Sequence, residues 1–340
     1  MRTIECPNCM LCQSRGKELF STLNDRLFGG KGEWGVLSCT NIDCGLVWLS
    51  PQPLVDDIRE AYSDYYTHKP IDAEKTNTKK IFEWLINGYV VNRYGAKLRS
   101  NYLQTVLSRL LYLLPGKRSV IDFKSGKLNV IQGGNLLEIG CGSGDSLIFL
   151  KSLGWNTTGI EIDPKSADVA RGRGGLKVLN KPLNDCKFLD ATFDAIVMNH
   201  VIEHLHTPTD LLVECFRVLK VGGSMVIVTP NTRSLLYRFF GYAWMHLDPP
   251  RHLYLYNSQN LTGLATSVGF EIKSVHTSIR DANSVFLASK SISTKGSYRM
   301  DGKKSFFAMG AGYVVQMLEW LILKFDKNAG EEIVMTLVKR

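Results

Sequence analysis

The chain has 340 residues, 44% of them apolar, an ordinary composition for a soluble protein with room for one large core or two domains. Its formal charge of +9 favours anionic partners: nucleic acid, a phosphate-bearing substrate or an anionic membrane face. The start, Met1-Arg2-Thr3-Ile4-Glu5-Cys6, lacks the apolar run of a secretory signal, so a cytoplasmic protein with reduced thiols is expected.

Residues 1–50 are rich in cysteine and in glycine turns. Five of the eight cysteines are Cys6, Cys9, Cys12, Cys39 and Cys44. Cys6-Pro7-Asn8-Cys9 and Cys9-Met10-Leu11-Cys12 overlap, and a second pair, Cys39 and Cys44, follows about two dozen residues later. In a reducing compartment such spacing reads as a four-thiolate zinc site before it reads as disulfides. A module this small has little core, so the metal would supply folding energy. No thioredoxin-like strand precedes the pairs, which argues against a redox role.

Residues 51–133 carry helical patterns rich in Tyr, Leu and Arg, including 103–114, and read as a connector or lid. Leu114-Pro115-Gly116-Lys117 ends that run. From residue 135 short apolar strands alternate with amphipathic segments. Strands are expected at 136–139, 157–162, 177–179, 194–198, 225–229, 270–275 and 333–338, with helices such as 146–153 and 210–219 between them. This is an α/β pattern with a mainly parallel sheet covered on both faces. Ligands of such sheets sit at the carboxyl ends of the strands.

The first of those ends is Glu138-Ile139-Gly140-Cys141-Gly142-Ser143-Gly144-Asp145, a strand, glycine turn and helix start. Glycines there allow a tight turn and close approach of a ligand to the main chain. The second strand ends in Glu161-Ile162-Asp163, where a carboxylate can accept hydrogen bonds from both ribose hydroxyls of a nucleoside. A nicotinamide dinucleotide is the competing ligand. Its Gly-x-Gly-x-x-Gly pattern puts the third glycine one residue later than Gly144, where this chain has Asp145. A carboxylate beside a pyrophosphate is unfavourable; a nucleoside cofactor without phosphates removes the objection.

Two further segments decide between them: Phe193-Asp194-Ala195-Ile196-Val197-Met198-Asn199-His200-Val201-Ile202-Glu203-His204, and Leu211 onward to Leu219-Lys220-Val221-Gly222-Gly223 with Val226-Ile227-Val228-Thr229-Pro230-Asn231. In this order, after the glycine loop, they resemble class I S-adenosylmethionine-dependent methyltransferases from about residue 134 to 340. The resemblance implies a seven-stranded Rossmann-like sheet with its last strand antiparallel. It implies that Gly140, Gly142 and Gly144 line the methionine and ribose of the cofactor, that Glu161 binds the ribose, and that Ile162 and the loop at Leu183 meet the adenine. Asn199 and His200 would lie near the transferred methyl. Glu138 and Cys141 belong to the same cofactor run.

The stretch Cys44-Gly45-Leu46-Val47-Trp48-Leu49-Ser50-Pro51 resembles the end of zinc ribbons that precede some bacterial methyltransferases of surface-glycan and small-molecule pathways. That pattern favours Cys9, Cys12, Cys39 and Cys44 as ligands, with Cys6 a spare, although four residues rather than two separate the second pair. An insertion at about 231–256 resembles the substrate cover of the same proteins. In it Arg251 is a candidate for binding a phosphate or carboxylate, and His252 for accepting a hydroxyl proton. His200 and His204 are further candidates for catalysis. Quinone-type phenol methyltransferases have a Glu-His pair like Glu203-His204.

The expected reaction is methyl transfer to a hydroxyl of a small molecule or of a glycan- or lipid-linked intermediate, with peripheral membrane association possible. An RNA methyltransferase gripping RNA by its ribbon is the alternative from another class. The ribbon lacks the Lys/Arg run interleaved with aromatics that such a grip needs, so no nucleic-acid partner is expected. Residues 306–325 are nearly long enough to span a bilayer, but Gln316, Glu319 and Lys324 interrupt them, and a buried or amphipathic helix is expected.

Overall fold

The computed structural model describes residues 1–62, 77–300, 302 and 305–340. Residues 63–76 of the expected connector lie outside the described residues. The chain divides into two compact units: one holds the described residues up to 62 with 200–212 and 227–335, the other 77–199, 213–226 and 336–340.

The amino-terminal residues form five short strands: β1 (Thr3–Ile4), β2 (Gly16–Leu23), β3 (Trp34–Cys39), β4 (Val47–Ser50) and β5 (Gln52–Pro53). β2, β3 and β4 pair antiparallel in sequence order, and β1 pairs with β5. β2 is an exposed, polar edge, whereas all four residues of β4 are buried. Helices follow in the second unit: α1 (Asn77–Tyr94), α2 (Tyr102–Leu107) and α3 (Pro115–Lys124). Asn101 caps α2 by accepting from the backbone N–H of Gln104 at 2.8 Å. The run at 103–114 is not one helix: it tightens to a 3-10 helix at Ser108–Leu113. Pro115 then opens α3 rather than merely closing the run, because proline's missing N–H costs nothing at a first helical position.

Next come β6 (Asn135–Ile139), α4 (Asp145–Leu153), β7 (Asn156–Ile160), α5 (Pro164–Arg171), β8 (Lys177–Leu179), β9 (Phe193–Asn199), α6 (Pro208–Val218) and β10 (Leu219–Pro230). β6 lies parallel between β7 and β9, and β7 is parallel to β8. Leu136, Leu137, Ile196 and Val197 are fully enclosed, as strands covered on both faces require. The remaining elements are α7 (Leu235–Phe240), β11 (Tyr254–Leu255), α8 (Ser258–Val268), β12 (Glu271–Ser278), α9 (Ala282–Lys295), α10 (Phe306–Ile322) and β13 (Glu332–Val338). A reciprocal capping box between Asn257 and Asn260 starts α8.

The large sheet has seven strands in the order β12-β13-β10-β9-β6-β7-β8, with the last strand of the chain antiparallel to the others. The chain reverses its direction of travel between β6 and β9, the switch point at which such sheets bind ligands. Every expected strand is present. β10 starts six residues early, since Gly222 and Gly223 lie within it instead of in a loop.

The amino-terminal sheet is not self-contained. β11, from the expected insertion, completes it in the order β11-β4-β3-β2, pairing Tyr254 with Trp48 and Leu255 with Val47.

Candidate functional site

The second unit carries the glycine loop. Gly140, Gly142 and Gly144 all have positive φ. Gly144, at φ +83° where α4 begins, is constrained twice: a Cβ there would also lie 2.7 Å from Leu176 Cδ1. Glu161 follows β7 and turns back into the loop. Its Oε2 accepts from Gly142 N–H at 2.8 Å and its Oε1 from Asp163 N–H at 2.9 Å. Burial raises its pKa, partly offset by those backbone bonds. Ile162, beside it, is 60% exposed and open to a flat ring. Cys141 and Leu183 are buried, and Gly159 backs directly against the Cys141 side chain. Asp145, the residue that spoke against a pyrophosphate, is paired with Arg173 at 2.5 Å.

Besides Trp155 Nε1, three buried polar atoms in this unit have no well-formed hydrogen bond: Glu138 Oε2 and both amide atoms of Asn199. They sit on β6 and at the end of β9, adjacent strands of the sheet. Burial pushes the Glu138 carboxyl up to about 8, so it is protonated and can donate at neutral pH. Each buried orphan costs about 1–3 kcal/mol unless a ligand satisfies it. A ligand bearing both an amine and a carboxylate, as the methionine end of S-adenosylmethionine does, fits this donor and acceptor set.

The first unit carries a histidine–carboxylate cluster, beginning at His200, which adopts a left-handed φ of +52°. His200 Nδ1 faces Glu203 Oε1 at 3.2 Å and its Nε2 faces Glu332 Oε1 at 2.8 Å. Burial lowers its pKa, but the two carboxylates outweigh that and hold it up to about 9. A raised pKa favours the cationic ring at neutral pH, which works against the role of proton acceptor expected of His200. Glu203 is fully enclosed; burial raises its pKa, and His200 more than compensates, bringing it down to about 2. Its second oxygen accepts from Thr229 Oγ1 at 2.9 Å.

His204 and His252 are different. Nδ1 of His204 donates to the Arg251 carbonyl at 2.9 Å, with Tyr62 Oη 3.0 Å away, and Nδ1 of His252 donates to the His246 carbonyl at 2.6 Å. With Nδ1 committed to a carbonyl, Nε2 is the nitrogen of each ring that can carry a lone pair. Burial and the neighbouring His252 lower the His204 pKa to about 4. One nitrogen from each ring and an oxygen of Glu203 lie within 4.8 Å of one another. That set can share a proton or hold a divalent cation.

Arg251 does not bind an acceptor anion. It is fully buried, with Asp25 at 2.7 and 2.8 Å and Asp248 on its remaining edge. The carboxylates raise its pKa despite burial. Nothing in its own neighbourhood of the sequence points to Asp25, 226 residues away. Arg280 and Glu332 were also missed, and no local motif marks either.

Among the cysteines, Sγ of Cys9 lies 3.6 Å from Cys44 and Sγ of Cys12 lies 3.3 Å from Cys39. All four fall within 4.8 Å of one another. Cys6 stands apart, its thiol directed at the Ile4 carbonyl. The two-turn approach of Cys44 is fixed by Asn257 and Asn260, which donate to its carbonyl at 3.2 and 3.0 Å.

A methyltransferase-domain family model matches residues 96–275. The chain belongs to this methyltransferase family. Similar curated proteins include a probable S-adenosylmethionine-dependent methyltransferase of Mycolicibacterium smegmatis, 30% identical over 142 residues, covering 42% of this chain and 53% of that one. The mitochondrial ubiquinone biosynthesis O-methyltransferase of Schizosaccharomyces pombe is 32% identical over 141 residues, covering 38% and 50%. This methyltransferase-family chain spans about half the length of the curated relatives it matches. A solved methyltransferase of Thermotoga maritima, described as a possible histamine N-methyltransferase, aligns with a TM-score of 0.45 at 20% identity, over 76% of this chain and 99% of that one.

Proposed function

We propose that the protein transfers a methyl group from S-adenosylmethionine to a hydroxyl of a small molecule, free or linked to a glycan or lipid carrier. The observation that carries this is the unsatisfied set of Glu138 and Asn199 beside a glycine loop tied to Glu161. The cofactor supplies a methyl already activated by its sulfonium. Glu161 keeps lone pairs for the ribose hydroxyls, and Ile162 offers an apolar face to the adenine. Glu138 and Asn199 meet the amino-acid end.

The acceptor hydroxyl loses its proton to Nε2 of His252. Glu203, ionised and held by Thr229, stabilises the imidazolium that forms, and the His204 ring packs edge-on against His252, 4.6 Å between centres. Phenolic hydroxyls are the first acceptors to assay, since several relatives are named for ubiquinone biosynthesis. Calorimetry with S-adenosylmethionine tests the cofactor assignment, and no binding by the intact protein overturns it. His252→Gln is expected to lower turnover about 10²–10⁴-fold with cofactor affinity unchanged. Undiminished turnover removes His252 from the reaction.

Cys9, Cys12, Cys39 and Cys44 are proposed to hold one zinc ion. Zinc–sulfur bonds of about 2.3 Å in a tetrahedron place the sulfurs about 3.8 Å apart, close to the 3.3 and 3.6 Å seen within the two cross-pairs. Metal analysis of protein prepared without chelator is expected to find about one zinc per chain; none would overturn the site.

A further inference from the structure

Helix α10 is built with its polarity reversed. Its inward side consists of Gly312, Gln316 and Glu319, all buried. A Cβ at Gly312 would lie 3.0 Å from the Asn283 carbonyl, so α9 and α10 touch backbone to backbone there. Gln316 Nε2 donates to the carbonyls of Ile279 and Arg280 at 2.9 and 3.0 Å, and Glu319 Oε1 accepts from Glu331 N–H at 3.1 Å. Two of the three polar groups that interrupt the apolar run, Gln316 and Glu319, are therefore the ones that anchor the helix. The apolar groups face outward: Phe307 is 88% exposed, and Tyr313, Val314, Met317, Leu318 and Leu321 continue the stripe. Phe325, just past the helix, is 92% exposed.

An amphipathic surface helix places its apolar stripe on the core. From Gly312 to Glu319 the helix does the opposite, and a contiguous exposed apolar stripe marks an interaction surface. Among the described residues no helix is long and apolar enough to cross a membrane, so the stripe is not a span. We propose that α10 lies flat on an anionic lipid surface, with its outward stripe among the acyl chains and the flanking cations at the headgroups.

Charge favours this occupant. The exposed cations on α9 and just after α10, the two helices that pack together, are Lys290, Lys295, Lys324 and Lys327. The carboxylates on the same elements are Glu319, which is buried, and Asp281 and Asp326, which are paired with Arg280 and Arg238 at 2.8 Å. Lys324 sets its ammonium over the Trp320 ring, Nζ 4.4 Å from the ring centre, so a cation and an aromatic ring meet at the end of the stripe. Area disfavours a second copy. A helix of 17 residues offers a strip about 25 Å long and about 10 Å wide, short of the ~800 Å² each partner gives a standard interface. The inference does not depend on which acceptor is methylated.

Full-length protein is sedimented with vesicles of phosphatidylglycerol and phosphatidylcholine in equal parts, and with phosphatidylcholine alone. Most of the protein is expected to pellet with the anionic vesicles and little with the neutral ones. Phe307→Ser with Leu318→Ser is expected to weaken that partition about tenfold or more, from the lost burial of two large apolar groups. Lys324→Glu with Lys327→Glu is expected to abolish the preference for anionic lipid. Unchanged melting and cofactor binding show that the variants fold. Failure to pellet with anionic vesicles, or equal pelleting of the Phe307/Leu318 variant, overturns the proposal. A dimer in sedimentation equilibrium that Leu318→Ser dissociates, without vesicle binding, assigns the face to a second copy and overturns it too.

Discussion

The glycine-loop region and the histidine cluster treat buried polar groups in opposite ways. In the first, Glu138 Oε2 and the whole Asn199 amide are enclosed without partners. In the second, Glu203, Glu332, His200 and Arg251 are enclosed and heavily bonded, each ion facing an ion of opposite sign. Both arrangements are expensive when buried, but the cost is met differently. The loop region leaves its polar atoms unsatisfied, as the proposed receiving site requires. The cluster satisfies itself, so most of its charge is architecture. What it leaves over is narrow: one ring nitrogen each of His204 and His252 within 4.8 Å of one Glu203 oxygen.

That contrast breaks most visibly at Arg251. Arg251→Ala strands Asp25 and Asp248 in the interior, and a loss of about 3–5 kcal/mol of stability is expected in chemical denaturation. The loss extends to the turn after Asp25, whose carboxylate also accepts from the N–H groups of Leu27, Phe28 and Gly30. Changing Asp25 and Asp248 to Asn together with Arg251→Met is expected to recover part of it. Unchanged stability with weakened acceptor binding would instead return Arg251 to the role of an anion-binding side chain.

Asn199→Ala sharpens the other half. Removing an amide whose only neighbour of opposite polarity is the Glu138 carboxyl, and which makes no well-formed hydrogen bond, is expected to leave the ligand-free protein little changed in stability, while cofactor binding weakens by about 1–3 kcal/mol, read by calorimetry. A drop in ligand-free stability of that size with normal cofactor affinity would show that Asn199 is structural, and the receiving site would lose its main support.

The two regions also differ in how far their sequence revealed them. The loop is contiguous: a strand, three glycines and a helix start, with Glu161 one strand later, so every determinant lies within some 25 residues and follows local rules. The four-cysteine set was legible for the same reason, since sulfur spacing is itself the signal. The cluster is assembled from both ends of the chain. Arg251 in a proline-rich loop reads as a ligand-binding cation until Asp25 arrives from an early turn, and His200 reads as a base until Glu332 arrives from the last strand. No periodicity encodes either meeting. Helix α10 was misleading in a third way. Its apolar positions fit the spacing of an amphipathic helix, but spacing leaves open which side faces the protein, and Gly312, Gln316 and Glu319 settle it inward.

The smallest effect probes that inward face. Burial, then the neighbouring Glu331, pushes the Glu319 carboxyl up, and burial pushes Glu331 up as well. Glu331 is the better placed of the two to ionise, since it accepts from Leu236 N–H and Trp244 Nε1, whereas Glu319 Oε2 has no partner. Their folded pKa values exceed those of the unfolded chain, so the folded state binds more protons. This contribution to stability is complete below the ordinary carboxylate range and is lost as pH rises through the raised values. Stability is therefore expected to fall from mildly acidic to alkaline pH. Glu319→Gln, which cannot ionise and keeps an acceptor for Glu331 N–H, is expected to flatten that fall by on the order of 1 kcal/mol. The gain should be largest at pH 9 and near zero at pH 5, measured by denaturation at each pH. A variant whose pH profile parallels the parent's would show that the carboxyl pair is not what α10 is anchored through, and that its polar side is held by Gln316 and Gly312 alone.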